Sequence, residues 1–239
     1  MKVVLLGAKN PETRHIIDAI LNYQKKAAFH DEEAQCASES GEHGSQFEFH
    51  GFIDNDQSRH GRDFVGLPVF GGFEVLDDLI AEGCVFINII SRSTVARYET
   101  SKIIRNKGGR FVNLIHPSVR VSKIIGVGNY IQEGVVVQSG VEIGNNSAIH
   151  AGAMITHQTK IGNSTFIAPS ASICGEVTIG DGVFVGTNAT ILPRLKIGNW
   201  ATIGAGAVVF NDVPERATFV GNPARILCYN NIKYLDGDI

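Results

Sequence analysis

Two histidines in the second half of the chain, His150 and His157, are the residues best suited to chemistry. A neutral imidazole can take the proton from an attacking amine or hydroxyl, or it can bind a metal ion. A catalytic zinc site needs three converging ligands, and the nearest other histidine, His116, precedes the repeats described below. The sequence therefore predicts no metal site. Taken alone, each histidine is more typical of a surface residue than of a catalyst.

Both histidines lie inside a hexapeptide pattern that runs from Val119 to Val209. Every sixth residue of this stretch is Ile or Val, sixteen times in succession. A helix places apolar residues every three or four positions and a strand every two, whereas a solenoid repeats a short strand and a corner every six. The residue four places after each Ile or Val is mostly small, as at Ser147, Ala153, Thr159, Thr165, Ala171, Ala189, Ala201 and Ala207. The pattern predicts stacked coils whose buried β-branched side chains each contribute roughly 1.5–3 kcal/mol.

A longer period, equal to three hexapeptides, is superimposed on the period of six. Glycines that follow an Ile recur at this spacing, at Gly126, Gly144, Gly162, Gly180 and Gly198. Asn or Asp follows most of them, and Gly and Asn tolerate positive φ. We therefore expect three hexapeptides per coil, with one edge of the prism turned by Gly-Asn corners. His157 then lies at an outward corner, where it can meet a neighbouring subunit, and His150 lies where a strained backbone is expected.

The first 116 residues show a different pattern, in which apolar runs alternate with helical stretches. Strands are predicted at Lys2–Leu6, Phe47–Asp54 and Val85–Ile90, and helices after Asn10, at Phe73–Ala81 and at Thr94–Asn106. This alternation predicts a small parallel sheet. The polar stretch 30–46 is predicted to be a loop insertion.

A small parallel sheet binds ligands at the carboxyl ends of its strands, beside helix N-termini. Gly7 and Ala8 follow the first strand, and Asp54 and Asn55 follow the second, so these four are the candidate substrate-binding residues. The G-x-G-x-x-G fingerprint of a dinucleotide site is absent. We therefore expect a crevice for a phosphate or a nucleotide, and no nicotinamide cofactor.

Composition and charge argue against several classes of protein. The 239 residues carry a net charge of −3 and have no basic run, which argues against nucleic-acid binding. No apolar stretch approaches the roughly 18 residues of a membrane span, and the N-terminus does not have the pattern of a signal sequence. The four cysteines are far apart, as in a protein with reduced thiols. These features lead us to expect a cytoplasmic location.

The order of the parts, with Val220-Gly221-Asn222-Pro223-Ala224-Arg225 after the repeats, resembles the hexapeptide-repeat sugar acetyltransferases. These include nucleotide amino-sugar N-acetyltransferases of the bacillosamine and perosamine type and their sialic acid O-acetyltransferase relatives. The resemblance implies an α/β domain over residues 1–116, a left-handed parallel β-helix over 117–227, and a C-terminal tail over 228–239. It also implies a homotrimer with each active site between two subunits.

The resemblance implies catalytic roles for individual residues. His157 matches the family's general base in a segment that ends Ile155-Thr156-His157-Gln158-Thr159-Lys160-Ile161-Gly162. Gly175 follows one predicted coil after His157, and its backbone N–H would stabilise the oxyanion. Gln158 stands where the family has an acid, and it can orient an imidazole. His150 stands where the family has an Asn and is assigned to the substrate site.

The resemblance also implies a co-substrate, acetyl-CoA. Four residues match turns that line the pantetheine slot, and an arginine matches a coenzyme A phosphate contact: Gly186, Thr187, Gly204, Ala205 and Arg225. The implied activity is acetyl-CoA-dependent N-acetylation of a nucleotide-linked amino sugar by direct transfer. The alternatives are a sugar O-acetyltransferase and a non-catalytic hexapeptide-repeat scaffold. The histidine spacing does not match that of the zinc-dependent hexapeptide-repeat carbonic anhydrases.

Overall fold

The structure is a computed structural model that describes residues 1–8, 14–15, 17–19, 21–22, 47–91, 93–121 and 125–230. Residues 14–15, 17–19 and 21–22 are helical, in agreement with the helix predicted after the first strand. Asn10, the predicted cap of that helix, and the predicted insertion at 30–46 lie outside the described residues.

The N-terminal part is built on a six-stranded sheet. Its strands are β1 (Lys2–Leu6), β2 (Glu48–Ile53), β3 (Asp63–Phe64), β4 (Leu67–Gly71), β5 (Val85–Asn88) and β6 (Arg110–Phe111). They lie in the order β3-β4-β2-β1-β5-β6. All pairs are parallel except β3 with β4, which form a hairpin. The predicted parallel sheet is confirmed, but the hairpin was not predicted.

Besides the helical residues that follow β1, helical segments connect the later strands. The 3-10 helices span Gln57–Arg59 and Phe73–Val75. Helix α1 (Leu76–Ala81) continues from the second of them, and helix α2 (Thr94–Asn106) follows β5. The Ser93 hydroxyl accepts a hydrogen bond from the Ala96 N–H and so caps α2. The helices predicted at Phe73–Ala81 and Thr94–Asn106 are confirmed, the first of them beginning as a 3-10 helix.

The second part is a left-handed parallel β-helix with three faces. Face A consists of β10 (Glu142–Ile143), β13 (Lys160–Ile161), β16 (Thr178–Ile179) and β19 (Lys196–Ile197). Face B consists of β7 (Leu114–Ile115), β8 (Tyr130–Ile131), β11 (Ala148–Ile149), β14 (Phe166–Ile167), β17 (Phe184–Val185), β20 (Thr202–Ile203), β22 (Ala217–Val220) and β23 (Arg225–Tyr229). Face C consists of β9 (Val136–Val137), β12 (Met154–Ile155), β15 (Ser172–Ile173), β18 (Thr190–Ile191) and β21 (Val208–Val209). Strand β23 pairs antiparallel with β22 and reaches Tyr229, so the start of the predicted tail lies in a strand.

The predicted ladder of β-branched residues forms the core of the β-helix. Ile143, Ile161, Ile179 and Ile197 stack in register on face A, and the other two faces repeat the arrangement. Ile161 is 4% exposed. The small residues four places after each Ile or Val are also buried, because they lie at the narrow corners inside the coil.

The recurring glycines have a different role from the one the sequence suggested. Gly144 and its equivalents do not have positive φ, and that prediction is wrong. The positive φ values fall two residues later, for example at Asn146 (52°) and Ser164 (53°). Glycine is needed because coils approach closely: a Cβ on Gly144 would lie 2.9 Å from the carbonyl carbon of Gly162.

The Asn and Asp residues after these glycines form a hydrogen-bonded column. The Asn145 side-chain oxygen accepts from the Val127 N–H at 2.9 Å, and the Asn163 side-chain oxygen accepts from the Asn145 N–H at 2.8 Å. Asp181 and Asn199 continue the series. Each side chain therefore satisfies a backbone donor of the preceding coil.

The outward-facing residues differ between the three faces. On face B, the outward residues Tyr130, Phe166 and Phe184 are aromatic and pack against the N-terminal sheet. Face A carries charged side chains such as Lys160 and Lys196. Face C has no charged residue in its strands, and Met154 is 43% exposed.

Candidate active site

His157 lies at the exposed corner that follows strand β12. Its ring rests directly on Gly175, one coil further along: a Cβ on Gly175 would lie 2.4 Å from the His157 Cε1 and 2.5 Å from its Nε2. Only glycine leaves space for the imidazole in this position. The structure thus brings together the two residues that the sequence assigned to proton transfer and oxyanion binding.

The backbone of His157 is held on both sides. Its N–H donates to the Gln138 Oε1 at 3.1 Å, and its carbonyl accepts from the Glu176 N–H at 2.9 Å. The Gly175 N–H donates no hydrogen bond to any described residue. An imidazole on a hydrogen-bonded backbone and an available backbone donor therefore lie side by side on an open edge.

Gln158 does not orient the His157 ring within one chain. It is exposed with a φ of 56°, and its N–H donates to the Ser139 carbonyl at 3.1 Å. Its side chain makes no hydrogen bond to another described residue. The role of Gln158 thus remains a prediction.

His150 is buried, with 4% of its surface exposed, so the expectation of a surface residue is wrong. Its backbone does not have positive φ either. The ring lies edge-on to Tyr130 at 5.7 Å and beside Phe166 at 4.6 Å between centroids. Burial, assisted by the nearby charge of Arg97, lowers the pKa of His150 to about 4. The imidazole is therefore neutral near pH 7 and inaccessible from solvent.

Arg97 joins the N-terminal sheet to the β-helix. It is fully buried on α2, where its Nε donates to the Ile90 carbonyl and its Nη1 to the Asn146 carbonyl, each at 3.0 Å. The Asn88 side-chain amide donates to the Arg97 carbonyl and to the Ser101 hydroxyl. Burial lowers the pKa of Arg97 to about 9, so the guanidinium stays charged at neutral pH.

The candidate substrate residues of the N-terminal sheet converge at the carboxyl ends of β1 and β2. The Asp54 carboxylate accepts from the Ala8 N–H at 2.8 Å and from the Asp56 N–H at 2.9 Å. The Gly7 N–H donates to the Ile53 carbonyl. Asp54 therefore holds the two loops together, whereas the side-chain oxygen of exposed Asn55 lies beside Gly72.

A pocket of about 250 Å³ opens next to these loops. Its lining includes residues that the sequence analysis did not identify: Ser58, Arg59, Arg62, Asp63, Phe64 and Val69, together with Ala8. The Arg59 guanidinium donates to the Ala8 carbonyl and to the Asp56 carboxylate. Two arginines make this pocket suitable for an anionic group such as a phosphate.

The residues assigned to coenzyme A lie along a different edge of the prism from His157. Gly186 and Thr187 follow β17, and Gly204 and Ala205 follow β20, all at the edge after face B. A Cβ on Gly186 would lie 2.5 Å from the Ala205 nitrogen. The Thr187 and Ala205 N–H groups donate no hydrogen bond to any described residue.

Arg225 lies at the same edge as these four residues. It pairs with Val220 in the β22–β23 hairpin, and the Val220 side chain covers Gly204. Its guanidinium donates to the carbonyl of Ala224 at 2.8 Å, and the residue is exposed. The structure thus groups the five cofactor candidates, but one chain does not bring them to His157.

Comparison with known proteins gives matches to the repeats and to the whole chain. The family described as bacterial transferase hexapeptide (six repeats) matches residues 158–193 and 178–211, and the hexapeptide repeat of succinyl-transferase matches 125–157. PerB from Caulobacter crescentus, solved with CoA and GDP-perosamine, is 26% identical, with 95% of this chain and 97% of that chain covered and a TM-score of 0.76. The chain is similar to the hexapeptide-repeat sugar acetyltransferases over nearly its whole length. No curated protein sequence matches.

Two other solved structures share the fold of this chain. The acetyltransferase domain of PglB from Neisseria gonorrhoeae, solved with acetyl coenzyme A, is 24% identical, with 95% and 98% of the two chains covered and a TM-score of 0.73. WeeI from Acinetobacter baumannii is also 24% identical, with 95% and 100% covered and a TM-score of 0.74. Among the described residues, no helix is long and apolar enough to cross a membrane.

Proposed function

We propose that this chain is an acetyl-CoA-dependent N-acetyltransferase that acts on a nucleotide-linked amino sugar, with His157 as general base. The observation that carries the proposal is the imidazole of His157 resting on Gly175, whose N–H has no partner among the described residues. Similarity over nearly the whole chain to an enzyme solved with CoA and GDP-perosamine supports it. Two further structures of that perosamine N-acetyltransferase, at 25% identity, carry Ala or Asn in place of a histidine.

The proposed reaction is a direct transfer. The amine nitrogen attacks the thioester carbonyl carbon, and His157 takes a proton from the nitrogen as the C–N bond forms. The negative charge that develops on the carbonyl oxygen accepts a hydrogen bond from the Gly175 N–H. The C–S bond then breaks, and the departing thiolate takes the proton from the imidazolium, which yields an amide and CoA.

The edge after face B fits the proposed co-substrate. Pantetheine contains two amides, and the Thr187 and Ala205 N–H groups, unpartnered among the described residues, are suitable donors to their carbonyls. Gly186 adds no side chain at this edge. Arg225 offers an exposed guanidinium for a phosphate group.

The nucleotide is assigned to the pocket beside Asp54. The pocket is lined by exposed Arg62, by Arg59, which is held by Asp56, and by Asp63, and the guanidinium N–H groups can donate to a diphosphate. Its position at the carboxyl ends of parallel strands is typical of nucleotide sites. The sugar would extend from this pocket toward the acetyl donor.

A homotrimer is the proposed assembly. Face A is charged and face B is covered by the N-terminal sheet, which leaves face C, with no charged residue in its strands and with Val136 and Met154 exposed, to pack on a second copy. Because His157 and the cofactor edge lie apart in one chain, contact between copies is what would complete each site. Sedimentation at micromolar concentration should show a trimer that Met154→Glu weakens and Lys160→Glu on face A does not. A monomeric wild-type protein would contradict this assembly.

The activity is tested by thiol release from acetyl-CoA with a panel of nucleotide amino sugars and their hydroxyl counterparts. We expect release with at least one amino sugar, and its loss in His157→Ala but not in Lys160→Ala. Release only with hydroxyl sugars would replace the proposal with O-acetylation. No release and no binding of CoA would overturn it in favour of a scaffold.

A further inference from the structure

A cluster of potential metal ligands lies at the amino ends of the strands, at the opposite edge of the sheet from the pocket. His50 is in β2, Glu82 follows α1, and Cys84 directly precedes β5. One ligand atom from each residue lies within 4.8 Å of the other two, and the His50 Nε2 is 3.8 Å from the Glu82 Oε2. Nitrogen, oxygen and sulfur donors therefore converge on one point, although His50 is far from the other two in the sequence.

An irregularity in the sheet directs His50 toward this point. Val3 pairs with Phe49 and Val4 pairs with Gly51, so His50 is the additional residue of a bulge in β2. A bulge re-aims the side chain that it carries. The ring of Phe70, at a centroid distance of 5.1 Å, packs against the imidazole and limits its movement.

The turn after α1 fixes the other two ligands. The Glu82 N–H donates to the Asp78 carbonyl and the Cys84 N–H donates to the Leu79 carbonyl at 3.0 Å. Gly83 has a φ of 78°, which allows the chain to reverse between Glu82 and Cys84. The thiol is buried and the Glu82 carboxylate is half exposed.

The charges around the thiol favour a bound cation. The Glu82 carboxylate lies beside the thiol and supplies a negative charge that a cation can neutralise. The cation that now faces the cluster is Lys2, whose Nζ is 3.4 Å from the Glu82 Oε2. Its side chain is 41% exposed, so it can turn to solvent when a metal ion replaces it.

We propose that His50, Glu82 and Cys84 form a zinc site that cross-links β2, the end of α1 and β5, with water as the fourth ligand. Zinc accepts this donor set at about 2.0–2.3 Å, so the ligand atoms need to converge by roughly 1 Å. Calcium and magnesium prefer oxygen ligands. As the Zn–S bond forms, the Cys84 S–H gives its proton to solvent. Because the site lies at the edge opposite the pocket, we assign it a structural role.

Cobalt titration of the untagged full-length protein tests this site. Co²⁺ should bind with one ion per chain and produce the near-ultraviolet charge-transfer band of a thiolate ligand, and Zn²⁺ should displace it. Cys84→Ser should abolish the band. Cys228→Ser is the matched control, because Cys228 is exposed and lies in the β22–β23 hairpin, and it should leave the band unchanged.

Glu82→Gln keeps the test decisive if Cys84→Ser fails to fold. Glu82 is half exposed, so its replacement should preserve the fold, yet zinc affinity should fall by at least about tenfold. Zinc should raise the melting temperature of the wild-type protein more than that of Glu82→Gln. The absence of a thiolate band in the wild-type protein, a band that persists in Cys84→Ser, or equal zinc affinity in Glu82→Gln would overturn the proposal.

Discussion

Acid should destabilise this protein through His150. Its pKa of about 4 lies below the ordinary value of 6.5, because the ring is buried among Tyr130 and Phe166 and lies near Arg97. Between these two values the unfolded chain binds a proton that the folded chain does not bind. The free energy of unfolding is therefore unaffected above the ordinary pKa and falls as the pH drops toward 4.

The size of this effect follows from the two pKa values. Each pH unit between the two pKa values lowers the free energy of unfolding by about 1.4 kcal/mol, so the complete loss is about 3 kcal/mol. For a chain of this length, 1 kcal/mol corresponds to roughly 2–4 °C in melting temperature. The expected contribution of His150 to the loss between pH 7 and pH 4 is thus roughly 6–12 °C.

Thermal unfolding of wild-type protein and His150→Phe across this pH range measures the effect. Phenylalanine fits the aromatic neighbours and does not titrate, so the variant should lose less melting temperature on acidification. His116→Phe is the control, because His116 is a half-buried histidine outside the aromatic group around His150. Its melting temperature should change with pH as that of the wild type does. Parallel curves for wild type and His150→Phe would refute the reasoning, as would an NMR titration of His150 with a midpoint near its ordinary value.

Three further substitutions test the core and the site. Ile161→Asp places a carboxylate between two stacked Ile side chains at a cost of several kcal/mol, so we expect insoluble or unfolded protein. A melting temperature near that of the wild type would show that the ladder does not stabilise the fold. Gly175→Ala places a Cβ 2.4 Å from the His157 ring and should lower kcat in the thiol-release assay with little change in the Kd for acetyl-CoA. Arg225→Ala should raise the KM for acetyl-CoA and leave that of the sugar unchanged, whereas equal effects on both would indicate a folding role.

The β-helix was predictable because its interactions repeat. Each ladder position contacts the residue one coil away, so the same constraint appears in the sequence at every hexapeptide and again at every third hexapeptide. Helix α2 was predictable from a local signal, the helical pattern from Thr94 onward. The position of His157 against Gly175 followed from the same spacing, since the two residues are separated by one coil.

Contacts between distant segments were not predictable in the same way. The β3–β4 hairpin turns at Val65 and Gly66, and Val65 has a φ of 47°, which β-branched residues rarely adopt. Gly66 suits a turn, but Val65 stands where the Asn or Asp of a two-residue hairpin signal is expected, and the pocket lining on β3 was missed.

The junction between the two parts was also missed, although the sequence carried a signal. Arg97 has the residue type of a solvated helix position, yet it is fully buried. The outward aromatics Tyr130, Phe166 and Phe184 are separated by whole coils and lie on face B only. Such a run on one face indicates a covered surface, and it explains why His150 is buried at the adjoining corner.

The measurement that tests the central proposal most directly is the kcat of His157→Ala in the thiol-release assay. A general base contributes about 10²–10⁴-fold, so we predict a decrease of that size with an unchanged Kd for acetyl-CoA. Because His116→Ala changes a histidine that is paired with Ser118 rather than with Gly175, it should retain the wild-type rate. Full activity in His157→Ala would contradict the assignment of His157 as the base.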